Sequence, residues 1–217
     1  MSSLFSLDSK FMQAMNRIAD LMILNILFLL TCLPVFTIGA ASTALYTVCF
    51  RLGTDREQGV FFSYFRAFRS NFKQAALLWL ILLVCLGTAF YDMLLFYVMP
   101  GAIRYGFILF ALLLVTALFV TSYAFPLLSQ FENSIGKTLK NAFLLSIGYA
   151  PRSVIIAAIN VLPFVLMLTQ LHVFFHVGFL WFVLYFSAAA YLNTLLLRKV
   201  FAPFLESQTD KIEEASV

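Results

Sequence analysis

Four long stretches of this chain carry no formal charge: Leu21–Phe50, Gln74–Tyr91, Tyr105–Phe131 and Ser153–Leu197. Lys and Arg gather between them. A hydrocarbon core about 30 Å thick is crossed by about 20 apolar helical residues, and each stretch holds that length once or twice. Apolar residues make up 63% of the 217 residues and charged ones 11%, against roughly 45–50% and 25% in a soluble domain. A soluble core of this size would leave apolar surface uncovered, whereas lipid covers it. The chain therefore reads as all-α, a polytopic helical membrane protein. Residues 1–202 are expected to form one helical membrane domain, and 203–217 a polar, mobile cytoplasmic tail. A cleaved secretory signal is a poor reading, because the apolar run after Arg17 is longer than a signal's and continues toward Phe50.

The first apolar region is broken at Pro34 and Gly39. It reads as two short spans of about 24 Å each, or as one span and a helix that does not cross. Further along, Phe61, Phe65, Phe68 and Phe72 form one stripe of a helix, and Arg66, Arg69 and Lys73 a second stripe beside it. This pattern predicts an interfacial amphipathic helix in the headgroup plane, or one packed on the cytoplasmic ends of the spans. A span follows to about Met99, Pro100-Gly101 turns the chain, and a returning span is expected to stop at Pro126. Phe131–Tyr149, with Lys137 and Lys140, reads as a second interfacial helix. Two spans then flank a short turn holding His172 and His176.

Basic residues in short loops mark the cytoplasmic side. Six spans with both termini inside place thirteen of the fourteen Lys and Arg residues there and leave only Arg104 outside. Five spans, with the N-terminus outside, leave eleven inside and three out. The net charge of +4 follows from this bias and implies no nucleic-acid partner; the expected partner is the lipid bilayer.

Few residues carry chemistry. Asp92 is the acidic residue well within a span, where a charge costs about 2.5–3.5 kcal/mol and needs a partner or water. Arg104 starts the next helix on the same side and is the expected partner. Asn25, Asn160 and Ser187 fall near mid-membrane, where interhelical hydrogen bonding is their ordinary role and a substrate path the sharper one. His172 and His176 have a chelating spacing but no nearby carboxylate or thiol, so no metal is expected. Cys32, Cys49 and Cys85 read as packing residues. No HExxH, GxSxG, P-loop or dinucleotide turn is present, so neither a catalytic nor a cofactor site is expected, and the chain reads as a non-enzyme.

The N-terminal third carries Ala19-Asp20-Leu21 with Asn25, then Leu33-Pro34, Thr37-Ile38-Gly39-Ala40 and Thr43-Ala44-Leu45-Tyr46. It continues through Phe65, Phe68 and Asn71-Phe72-Lys73-Gln74. These residues resemble the YesL-like family of bacterial integral membrane proteins, a family of unknown function. Its members often occur near genes for binding-protein-dependent sugar importers. The resemblance implies a bacterial cytoplasmic-membrane location and an accessory or scaffold role in carbohydrate uptake, with a sugar-importer membrane complex as partner. It supplies no site residues. The rival classes are a small solute transporter or permease component, and a membrane sensor or regulator. An ATPase-coupled permease fits poorly, because Ile159-Asn160-Val161-Leu162-Pro163 imitates only the end of its docking loop and lies within a span.

Overall fold

The structure is a computed structural model that describes residues 10–52, 59–169, 178 and 181–215. Among these residues there are seven α-helices and no strand: α1 (Lys10–Thr31), α2 (Ile38–Arg51), α3 (Val60–Val98), α4 (Gly106–Gln130), α5 (Ile135–Gly148), α6 (Ala150–Thr169) and α7 (Phe186–Ala215). A π-helical turn, Trp181–Tyr185, leads into α7. His172 and His176 lie outside the described residues.

Pro34 explains the first corner. It takes an extended conformation (φ −77°, ψ 125°), and the residue before a proline is pushed away from helical dihedrals. The Thr37 hydroxyl then reaches both Thr31 O (2.5 Å) and Pro34 O (2.6 Å), which serves a carbonyl left without a partner at the end of α1. This corner sits alongside α3. Thr31 Oγ1 meets Tyr64 OH at 2.5 Å, and Trp79 Nε1 donates to Val35 O at 2.8 Å.

Helix α2 is the buried centre. Gly39, Ala40, Ala41 and the run Thr43–Cys49 are all buried. At 14 residues the helix is about 21 Å long, short of the hydrocarbon thickness. Its small residues admit α3 closely: a Cβ on Gly39 would lie 2.3 Å from Ala75 O and 2.5 Å from Trp79 Cβ.

Three expectations need correction here. Phe61–Lys73 is helical, but it is not a separate interfacial helix. It forms the first third of α3, which runs unbroken for 39 residues, about 58 Å. The change from amphipathic to uniformly apolar sequence at Lys73-Gln74-Ala75 alters what surrounds the helix. It does not stop the backbone, because all three residues are good helix formers. Second, α4 does not stop at Pro126 but continues to Gln130. Proline removes one donor there, and packed neighbours in membrane proteins tolerate that loss. Third, α7 crosses the expected tail boundary and stays helical through Pro203 to Ala215.

The second expected interfacial segment is a separate helix. Helix α5 is bent by 106° from α6, and its Lys137 and Lys140 are exposed.

The faces support a membrane setting. Leu80, Leu83, Val84, Leu94, Leu95, Leu109 and Leu112 are large, apolar and exposed on the α3–α4 hairpin. A patch of that kind calls for lipid or a partner. By length and composition, three helical segments among the described residues can cross a membrane: Phe11–Thr31, Val60–Val98 and Gly101–Gln130. The bent α5–α6 pair adds a fourth if it counts as one broken span.

Candidate functional site

The polar residues expected at mid-membrane fall into two clusters. In the first, α1 meets the π turn. Asn25 is fully buried. Its Nδ2 donates to Phe182 O at 2.7 Å, and its Oδ1 accepts from Ser187 N–H at 3.0 Å. Residues 182 and 187 are the i, i+5 pair that a π turn brings face to face. One carboxamide therefore bonds both members, donor to acceptor and acceptor to donor. Ser187 returns the tie, since its hydroxyl donates to Leu21 O at 2.7 Å. The α1–α7 junction is thus fastened through backbone groups that lipid cannot serve.

The second cluster joins α2, α6 and α7. Asn193 Nδ2 donates to Asn160 Oδ1 at 2.9 Å and to Tyr46 OH at 3.2 Å. Asn193 Oδ1 is buried with no hydrogen-bond partner among the described residues. Asn160 and Tyr46 also border a cavity of about 320 Å³ between α1, α2, α4, α6 and the start of α7. Its walls are mostly apolar, including Phe28, Leu45, Leu118, Phe125 and Phe186. Ser42, Thr121, Ser122 and Tyr185 add hydroxyls. Asn25 and Ser187 do not line this cavity.

Asp92 is elsewhere. It is half-buried on α3, at a hollow of about 450 Å³ shared with α4 and α5, beside Thr88, Thr116, Phe110 and Phe143. The expected partnership with Arg104 is not formed. Arg104 is exposed, and its guanidinium lies 4.7 Å from the centre of the Tyr97 ring. A cation–π contact at the hairpin tip takes the place of the ion pair, because Tyr97 lies within the reach of Arg104 on the same turn.

The phenylalanine stripe is divided. Phe65, Phe68 and Phe72 pack on the protein core, whereas Phe61 is 51% exposed. Arg66, Arg69 and Lys73 are all exposed. The stripe thus faces protein along most of its length. Sequence reasoning did not find Tyr46, Tyr185, Ser153 or Arg198. Tyr185 OH donates to Ile159 O, Ser153 Oγ to Tyr123 OH (3.1 Å), and Arg198 Nη2 to Phe50 O (2.9 Å). Tyrosines in apolar runs resemble packing aromatics, and only helix pairing reveals their acceptors.

Chemically, these arrangements tie helices together. Among the described residues no group of three or more His, Cys, Asp or Glu is placed to hold a metal.

The fold and its polar ties define an all-helical protein held together by interhelical hydrogen bonds, with three helical segments among the described residues long and apolar enough to cross a membrane. Residues 21–93 match a family described as a protein of unknown function, DUF624. The chain is 30% identical over 187 residues to the uncharacterized protein YesL of Bacillus subtilis (strain 168), covering 85% of this chain and 82% of that protein. The chain belongs to the YesL-like family. No solved structure matches it.

Proposed function

We propose that the chain is a non-catalytic membrane partner in solute uptake, carbohydrate uptake in particular, seated in the bacterial cytoplasmic membrane with its basic end inward. The observation that carries this reading is where the interior polar groups go. Asn25 and Ser187 bond each other and backbone, and Asn160 bonds Asn193. Asp92 stands apart at another hollow. A transporter instead gathers such groups around a midplane site. The carbohydrate element rests on the family resemblance. Affinity purification in mild detergent, with identification of the co-purifying proteins, tests the role. The expected result is the membrane subunits of a sugar importer; recovery of the chain alone from cells that express such an importer counts against it.

A second reading, a small transporter, is favoured by one observation, the cavity bordered by Asn160 and Tyr46.

The proposed orientation puts both termini inside, as the distribution of basic residues implies. In a version with Cys32, Cys49 and Cys85 replaced, a cysteine at Ser3 is expected to resist impermeant thiol reagents in intact cells. Labelling there puts the N-terminus outside and, with the C-terminus inside, makes the number of crossings odd.

A further inference from the structure

A polar hollow lies where the end of α2, the first half of α3 and the α4–α5 corner meet. Its volume is about 640 Å³. Helix α2 contributes Thr47 and Arg51, α3 contributes Arg66, Ser70, Asn71 and Gln74, and the corner contributes Gln130, Glu132 and Asn133. Gln74 Nε2 donates to Asn133 O, which pins the corner to α3 and holds the cleft's third wall in place. Two guanidinium groups and one carboxylate line the cleft. Arg69 and Lys73 are exposed on α3 nearby and add positive charge around the cleft.

The cleft's depth points to its occupant. Along α3 the exposed residues change from Arg66, Arg69 and Lys73 to Leu77, Leu80 and Ile81. The change falls within about one helical turn, beside Gln74. The cleft therefore opens where headgroups meet hydrocarbon. We propose that it binds the phosphodiester headgroup of an anionic phospholipid. The phosphate would lie toward Arg51 and Arg66, the headgroup hydroxyls toward the amides of Asn71, Gln74 and Gln130, and the acyl chains along Leu77 and Ile81. Guanidinium forks suit phosphate oxygens, and basic pockets on the cytoplasmic side commonly take anionic headgroups. Glu132 disfavours a dianionic phosphomonoester relative to a singly charged diester.

The test titrates purified full-length protein with phosphatidylglycerol in a phosphatidylcholine bilayer disc and reads bound lipid by native mass spectrometry. Arg66→Gln and Arg51→Gln are each expected to weaken binding on the order of fivefold. Arg69→Gln, outside the lining, should weaken it much less. If Arg66→Gln fails to fold, Arg51→Gln reads the same cleft. Equal losses in all three variants would mean diffuse surface attraction and overturn the proposal. So would equal binding of phosphatidylcholine. Displacement of the lipid by soluble glycerophosphoglycerol, the free diester headgroup, at equal potency would assign the cleft to a free phosphodiester solute, and the lipid proposal would fall.

Discussion

Gly39→Ala should cost about 3 kcal/mol, at the top of the usual range for an overpacked core. The added methyl meets the backbone oxygen of Ala75 at 2.3 Å and Trp79 Cβ at 2.5 Å. A flexible side-chain tip moves cheaply; a helix carbonyl does not. To relieve the clash, α2 must withdraw from α3 at this contact and disturb Tyr46, Cys49 and the rest of the buried helix. The Trp79–Val35 hydrogen bond sits at the same place, so the α1–α2 corner should loosen as well. Gly87→Ala is the matched control. It lies inside α3 with nothing within 4 Å of the added atom, and removing a helical glycine gains about 0.5–1 kcal/mol. Thermal unfolding in detergent should show the two variants moving in opposite directions. Equal midpoints would mean that α2 and α3 are not packed as described.

Asn25→Ala should destabilise the protein by about 2–4 kcal/mol. Two hydrogen bonds are lost at a fully buried position, and each buried partner left wanting costs about 1–3 kcal/mol. Ordinary side-chain pairs in membrane proteins average only about 0.6 kcal/mol, because the groups find other partners. The carbonyl of Phe182 and the amide of Ser187 belong to one π turn and have less freedom to do so. Amide hydrogen exchange at Ser187 should accelerate in Asn25→Ala and remain slow in Asn160→Ala, whose bonds lie in the other cluster. If exchange at Ser187 does not change, Asn25 does not hold the turn.

What was legible in the sequence follows from what each signal measures. The length of the charge-free runs reports the solvent around a segment, so the helical membrane class was readable from Leu21–Phe50 onward. Breaks in the backbone were readable only where proline and glycine coincide with a corner, as at Pro34 and at Pro100-Gly101. Gly101 there takes a φ of +72°, which favours glycine over residues with a Cβ. Pro126 lies in a packed helix and did not end it. The amphipathic switch near Lys73 reads as a boundary because periodicity describes faces, and α3 passes straight through it. Charge proximity along the chain suggested Asp92 with Arg104, yet Tyr97 is the aromatic partner the turn presents. Asn25 and Ser187 both read as mid-membrane polar residues, but 162 residues separate them. Only the meeting of α1 with the π turn joins them.

The interior polar residues tie helices together, and on the proposed reading the chain is expected not to move solute unaided. Purified protein reconstituted into liposomes gives the most direct measurement, with uptake of radiolabelled mono- and disaccharides followed under an imposed proton or sodium gradient. Uptake is expected to equal that of protein-free liposomes and to be unchanged by Asn160→Ala. Saturable uptake by the wild type that is lost in Asn160→Ala would contradict it and make the cavity beside Asn160 and Tyr46 a transport site.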